Sequence, residues 1–211
     1  MEIFGDESDW QAQTGYVPLI QAEQRLRNLR RVARSVLELR NDATSGLRAS
    51  RDEYLAWASR DPAAATYLYE AREAAEEEFL SAQDELPVLL LGSLIAYSFS
   101  LLESALAGCA DTATAILGFS PPSQVGNPKL DRWIAFLQDE CKLDIVWEPL
   151  EKDLDYWRHI RNSYIHQLEI GPVGQRPDGP SGAAYDWERF RELLDLVADA
   201  LRVLDEAMAQ L

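Results

Sequence analysis

The stretch LPVLLLGSLIAYSFSLLESALAGCA, residues 86–110, restricts the fold of this chain more than any other feature. Glu103 is its only charged residue, and the 17 residues from Leu86 to Leu102 carry no charge at all. A helix that is apolar on every side is either buried in a protein core or spans a membrane. Seventeen residues lie at the short limit for a span, and no basic cluster follows as a cytoplasmic flank. We expect the central helix of a bundle, with a membrane span as the alternative.

The other segments predict an all-α protein, because their apolar residues recur at helical spacing and strand-like alternation is absent. A loose lead, residues 1–17, precedes a helix that Pro18 opens and that runs to about Arg60. A second helix is predicted from about 62 to 85. These two form an N-terminal helical hairpin, residues 1–85. Four further helices, at about 86–110, 129–141, 146–168 and 184–211, form a bundle over residues 86–211.

The formal net charge of −16 argues against broad binding to phosphate backbones, since nucleic-acid binders usually carry a basic footprint. A small local anion site remains compatible with it, because charges are screened over about 8–10 Å. The two cysteines, Cys109 and Cys141, stand in no metal-binding spacing, and we expect neither a metal nor a cofactor. The acidic start MEIFGDESDW lacks the pattern of a signal peptide. We therefore expect a reduced, cytoplasmic protein that uses no membrane.

The predicted hairpin is segregated by charge. Residues 20–60 contain nine arginines against five acidic residues, whereas residues 61–85 contain eight acidic residues against Arg72. Opposite charges on consecutive helices suit an antiparallel pair, so intramolecular charge matching is one interpretation. The other is that the arginine-rich helix offers a basic stripe to RNA.

One arginine interrupts the apolar face of the predicted helix at 146–168. On a helical wheel, apolar residues cover roughly 200–340°, and Arg161 falls at about 300°. An arginine in such a position needs a partner, because an isolated buried charge is costly. The candidate carboxylate is Glu103, the lone charge of the most apolar helix, and an Arg161–Glu103 pair could be purely structural.

The two histidines of the chain fall close to this arginine, within RHIRNSYIHQ. His166 lies one turn after Asn162 on the same flanking face of the helix, and Arg158 borders them. His159 is expected to be an incidental surface residue. His166 is either a surface residue that complements the helix dipole or part of a site.

The segment RNSYIH, residues 161–166, resembles the R-N-x-x-x-H signature of the HEPN superfamily (higher eukaryotes and prokaryotes nucleotide-binding). The context is also similar, because the motif falls near the end of the third helix of a predicted four-helix bundle and follows a nearly all-apolar helix with SFSLLESAL. The resemblance covers residues 86–211 and leaves residues 1–85 unassigned.

This resemblance implies a HEPN-like four-helix bundle and a metal-independent endoribonuclease, of the kind that acts as a toxin or an antiviral-defence effector. It implies a homodimer whose active site combines Arg161, Asn162 and His166 of both copies, with Arg158 and Glu103 in support. Histidine supplies a proton acceptor and donor near neutral pH, and a guanidinium binds phosphoryl oxygens. An RNA substrate and an antitoxin or defence-system protein are the partners it implies.

The chain departs from the family in two respects. Some HEPN toxins carry a tyrosine two residues after the histidine as a site of control, and Leu168 occupies that position here. The acidic composition also requires basic residues to gather locally, with Arg176 among the candidates. The alternative hypothesis is a non-catalytic HEPN-like interaction or nucleotide-binding regulatory protein, since some members of the family have lost catalysis.

Overall fold

The computed structural model describes residues 10–60, 69–120, 130–169 and 186–211, without the side chains at 58, 69–72, 75, 80–87 and 166–169. These residues form five α-helices and one turn of π-helix, and no strand occurs among them. We name the α-helices α1 (Val17–Arg60), α2 (Tyr69–Leu117), α3 (Leu130–Ala135), α4 (Glu148–Glu169) and α5 (Trp187–Met208). The π-helical turn, Phe136–Glu140, continues α3. The predicted all-α fold is confirmed.

Helices α1 and α2 form a long antiparallel pair. Near one end, a Cβ atom added to Gly108 would lie 2.8 Å from Cβ of Pro18, so only glycine allows this close approach. Toward the other end, the Arg51 guanidinium lies 4.9 Å from the centroid of the Phe79 ring. The predicted bounds of the first helix, Pro18 to about Arg60, are confirmed. Its buried positions recur three and four residues apart only in its first half, at Leu19, Ala22, Leu26, Leu29 and Ala33.

Helix α2 is the central element of the bundle, as predicted. Its buried residues include Leu91, Ile95, Phe99, Leu102, Leu106 and Cys109. By length and composition, Val88–Leu117 is the one helix among the described residues that could cross a membrane, and 44% of its apolar window is buried inside the protein. The rest of this window is exposed or only partly buried.

The structure differs from the predicted division near residue 86 in two ways. Helix α2 is continuous from Tyr69 to Leu117, so the predicted separation into helices at 62–85 and 86–110 is wrong. The sequence changes at residue 86 from a strongly acidic segment to an uncharged one, but the helix continues across this change and contains Pro87. In addition, the first half of α1 lies in the same hydrophobic core as α2, α4 and α5, rather than in an appended hairpin.

Helix α5 completes the core through its amphipathic pattern. Asp186 caps its first turn by accepting a hydrogen bond from the backbone N–H of Glu188 at 2.6 Å, which satisfies one of the free donors of the helix start. The face toward the core contributes Trp187, Phe190, Leu194, Val197, Leu201, Leu204 and Met208. These residues were predicted to share one face, and that prediction is confirmed.

Residues 10–16 were predicted to be a loose lead, and the described residues correct this. Trp10 is buried in the common core. Asp205, a buried carboxylate of α5, accepts hydrogen bonds from the backbone N–H groups of Gln13 at 2.6 Å and Thr14 at 3.2 Å. It also accepts one from the Thr14 hydroxyl at 2.5 Å. Charge-assisted bonds to a carboxylate are stronger than neutral ones, so this segment is held against the end of α5.

Candidate functional site

The candidate site lies where α4 packs on α2. Helix α4 turns a regular stripe toward the core, formed by Leu154, Trp157, Ile160 and Tyr164. Their spacing of three and four residues follows the helical repeat. Arg161 falls within this stripe on the helical wheel and is half-buried, whereas Asn162, about 100° further round the helix, stands at its edge.

The Arg161 side chain is held by three groups. One Nη1 hydrogen bond, 2.8 Å long, reaches Oε1 of Glu103 on α2. Both Nε and Nη2 donate to Oδ1 of Asn162, at 3.2 and 3.1 Å. The guanidinium also lies over the ring of Phe99, 5.2 Å from its centroid, which is within the range of a cation–π contact. The pairing of Arg161 with Glu103 that the sequence predicts is confirmed.

This arrangement leaves part of the guanidinium available. Its side chain is 20% exposed and that of Glu103 is 31% exposed, so the pair lies at the edge of solvent. A guanidinium has five N–H donors, and three of them are used in the hydrogen bonds above. The other two have no hydrogen-bond acceptor among the described residues. A planar donor group that is fixed in orientation and still reaches solvent can bind a phosphate or carboxylate.

The last turns of α4 are fixed on α2 by Tyr164. Its ring lies against Gly92, where an added Cβ would come within 2.2 Å of ring carbon atoms. Its hydroxyl donates to the carbonyl oxygen of Leu89 at 3.1 Å and lies 2.9 Å from Oγ of Ser93. Tyr164 was predicted to be a core residue, and this is confirmed. The role of Gly92 was not predicted, although a lone glycine in an apolar helix is a known sign of close packing.

Two other polar residues of α4 point elsewhere. Arg158 donates to Oδ2 of Asp131 on α3 at 3.0 Å and forms an ion pair with Asp155 at 2.7 Å. Arg158 therefore pairs with these two aspartates and not with Glu103 or Asn162. His159 is exposed, as expected of a surface residue.

His166 lies on α4 one turn after Asn162, by its backbone, and its side chain falls outside the described residues. Arg176 also falls outside them. On an ideal helix, five residues from Arg161 to His166 correspond to an axial rise of about 7.5 Å and a rotation of roughly 140°. The backbone positions of the two residues therefore lie on different sides of an ideal helix.

The described part of the chain holds no group of three or more His, Cys, Asp and Glu residues that could bind a metal ion. Its two cysteines are free and buried. Burial, reinforced by the Asp205 carboxylate, raises the pKa of the Cys109 thiol from an ordinary 9.0 to about 12. Burial and the nearby Glu140 also raise the pKa of Cys141. Neither thiol is poised as a nucleophile, because the thiolate is the reactive form.

Comparison with known proteins adds no further assignment. No protein-family model matches the chain, and no match was found among curated proteins or solved structures.

Proposed function

We propose that this chain is a metal-independent endoribonuclease of HEPN type that acts as a homodimer, with Arg161, Asn162 and His166 in its active site. The observation that carries the proposal is the hydrogen bonding and solvent access of the Arg161 guanidinium. Its guanidinium is oriented by Glu103 and Asn162, reaches solvent, and keeps two N–H donors free of acceptors among the described residues. The motif RNSYIH places a histidine on the same helix, at the position that the resemblance requires.

The reaction is an internal transfer at phosphorus. The ribose 2′-oxygen attacks the adjacent phosphorus, the P–O5′ bond breaks, and the products are a 2′,3′-cyclic phosphate and a 5′-hydroxyl. One histidine accepts the proton from the 2′-hydroxyl, and a second acid gives a proton to the leaving 5′-oxygen. Arg161 binds the phosphoryl oxygens, where negative charge accumulates in the transition state.

The positions of Arg161 and His166 along α4 support the dimer. Because the two positions lie roughly 140° apart on an ideal helix, one copy does not readily enclose a phosphate between them. A second copy related by a two-fold axis supplies another arginine and another histidine. His166 of one chain then serves as base while His166 of the other serves as acid.

In this proposal Glu103 is a positioning residue, since it acts through Arg161. Its hydrogen bond ties the guanidinium to α2, and its charge offsets the cost of placing a cation beside the apolar stripe. Asn162 fixes the plane of the guanidinium through its Oδ1 atom, which accepts from both Nε and Nη2. Preorganised donors of this kind need little rearrangement when the transition state forms.

The candidate site is small relative to the acidic surface, and three of the nine arginines of α1 are paired with carboxylates. Arg27 pairs with Glu23, Arg30 with Asp195 and Arg51 with Asp52. RNA binding is therefore expected to depend on a few phosphate contacts, and its affinity should show a shallow dependence on salt.

A non-catalytic regulatory role is the second candidate, and one observation favours it. The 2.8 Å bond between Arg161 and Glu103 joins α2 to α4, which is also what a purely structural ion pair would do. The two functions predict different results when the histidine is removed, because His166 has no necessary part in a structural pair.

The test is RNA cleavage by purified protein in the presence of EDTA. The wild type is expected to cleave, and His166→Ala should lower the rate by roughly 100-fold or more, the usual contribution of general acid–base catalysis. His159→Ala is the matched control, because it removes the other histidine of α4, whose side chain is exposed. It should leave the rate unchanged.

Two more variants test the arginine and its support. Arg161→Ala should abolish cleavage, whereas Glu103→Gln keeps the shape of the contact and should give a partial loss of kcat with little change in KM. The products should carry 2′,3′-cyclic phosphate ends. Absence of cleavage by the wild type across several RNAs, or equal cleavage by His166→Ala, would exclude the endoribonuclease. Growth arrest in cells that requires both Arg161 and His166 would exclude the non-catalytic role.

A further inference from the structure

Among the exposed large apolar side chains of α1 and α2, four lie along the middle of the helix pair. They are Val32 at 50%, Leu39 at 69%, Leu89 at 51% and Tyr97 at 48%. Single exposed apolar residues are ordinary on a protein surface, but contiguous ones are not. We call these four residues the α1–α2 patch.

The hydrogen bond from Arg25 to Ser104, 3.4 Å long, shows which sides of the two helices share one face. Seven residues are close to two helical turns, so Val32 and Leu39 follow Arg25 along the same side of α1. On the antiparallel helix α2, Tyr97 lies seven residues before Ser104, and Leu89 lies two turns further on. The four residues therefore lie on one surface that runs along both helices.

The α2 half of this surface is unusual in its lack of charge, whereas the α1 half begins at the exposed Arg25. The α2 stripe between Leu89 and Ser104 continues through Ser93 and Ser100, which are also exposed, and no residue from 86 to 102 is charged. The chain as a whole carries a net charge of −16. A chain of this charge repels its own copies over most of its surface, so an uncharged face is where two copies can approach at the lowest electrostatic cost.

The patch adjoins the candidate site. Ser93, in the exposed stripe of α2, lies 2.9 Å from the Tyr164 hydroxyl of α4. Glu103, one residue before Ser104, pairs with Arg161. The α1–α2 patch therefore extends across α2 to the edge of α4, next to Arg161.

Its size suits part of a dimer interface. The distance along the helix pair from Arg25 and Ser104 to Leu39 and Leu89 is about 21 Å. Two packed helices are roughly 20 Å wide, so the patch has a footprint of about 400 Å². A stable interface takes about 800 Å² from each partner. The patch supplies about half of that area, so the interface must extend onto a neighbouring element, and α4 with Arg161 is the neighbour beyond α2.

We propose that the α1–α2 patch is the surface on which a second copy of this chain packs, in an isologous interface that also contains the exposed edge of Arg161. The inference rests on the dimer in the proposed function and specifies where that dimer forms. The involvement of α1 is its main consequence, because residues 1–85 lie outside the part of the chain that resembles HEPN proteins.

The test is the oligomeric state of the full chain, measured by sedimentation over a range of concentrations. Wild type is expected to be a dimer, and Val32→Glu should raise the dimer dissociation constant by at least about 100-fold, because a two-fold axis places each substitution in the interface twice. Val146→Glu is the matched control: it changes a valine that is 56% exposed and lies outside the patch, and it should remain a dimer. Leu39→Glu is the second patch variant, and circular dichroism checks that each variant is folded.

A monomeric wild type would overturn the proposal, as would a dimer that Val32→Glu and Leu39→Glu leave intact. Equal dissociation of Val146→Glu would also overturn it, because the effect would not be specific to the patch. Binding of wild type to lipid vesicles that the patch variants lose would assign the surface to a membrane instead. RNA cleavage is measured on the same samples. A dimer that depends on the patch but does not cleave RNA refutes the proposed activity and leaves the interface, whereas an RNA-cleaving monomer refutes the interface and the homodimer and leaves the activity.

Discussion

The contact between Gly92 and Tyr164 gives the most demanding prediction for the fold around the site. An alanine Cβ at position 92 would lie 2.2 Å from two ring carbons of Tyr164, whereas carbon atoms in contact are ordinarily about 3.5–4.0 Å apart. The ring must therefore withdraw by roughly 1.3 Å or more. That movement would break the hydrogen bonds of the Tyr164 hydroxyl with Leu89 and Ser93.

The expected change in the free energy of unfolding has three contributions. Overpacking costs about 1–3 kcal/mol, and the two lost hydrogen bonds cost about 1 kcal/mol each. Alanine is better than glycine inside a helix by about 1 kcal/mol, which offsets part of the loss. We expect Gly92→Ala to lower the free energy of unfolding by about 2–4 kcal/mol, as measured by urea denaturation followed by circular dichroism.

The sign should reverse when the ring is absent. In a Tyr164→Ala background, Gly92→Ala meets no ring, and we expect it to raise the free energy of unfolding by up to about 1 kcal/mol. The double-mutant cycle isolates the coupling between the two positions. If Gly92→Ala alone is as stable as wild type, or if it has the same effect in both backgrounds, the reasoning about this close approach is refuted.

Two further predictions concern buried groups, Asp205 of α5 and Cys109 of α2. Asp205→Asn replaces an acceptor oxygen by a donor that faces the N–H groups of Gln13 or Thr14, and should lower the free energy of unfolding by about 2–3 kcal/mol. Asp199→Asn is its control, an exposed carboxylate of the same helix whose loss should cost less than about 1 kcal/mol in the same urea titration. The raised pKa of Cys109, about 12, predicts that stability falls as pH rises above 9.0, because the unfolded chain then releases the thiol proton while the folded chain keeps it. Between pH 9 and 10 the free energy of unfolding should fall by roughly 1 kcal/mol more in wild type than in Cys109→Ala, and equal slopes in the two proteins would contradict the burial of that thiol.

The parts of the site that were predicted from sequence are those in which a charged residue stands in apolar surroundings and needs a partner. Arg161 interrupts an apolar stripe, and Glu103 is the single charge of an apolar helix. Because each would be costly alone, their pairing follows from elementary electrostatics. The helical periodicity of α4 and α5 is likewise a local property, and it predicted which faces are buried.

The parts that were not predicted depend on distant or competing effects. The change of composition at residue 86 suggested a boundary between two helices, but a change in charge does not by itself end a helix, and α2 runs through it. Residues 10–16 carry no periodic pattern, and their anchor, Asp205, is 191 residues from Thr14 in the sequence. The catalytic role of His166 remains a prediction from the motif and its helical context.

The long reach between Thr14 and Asp205 has a consequence for biosynthesis. The segment at 10–16 is synthesised before the carboxylate that binds it, which lies 191 residues later than Thr14. At about 5–20 residues per second, the ribosome takes roughly 10–40 seconds to cover that distance. During this interval the residues of α1 and α2 are already available to pair, but the segment has no carboxylate to accept hydrogen bonds from its N–H groups. The segment at 10–16 therefore reaches its native hydrogen bonding only after α5 has been synthesised, although it precedes every described helix in the sequence.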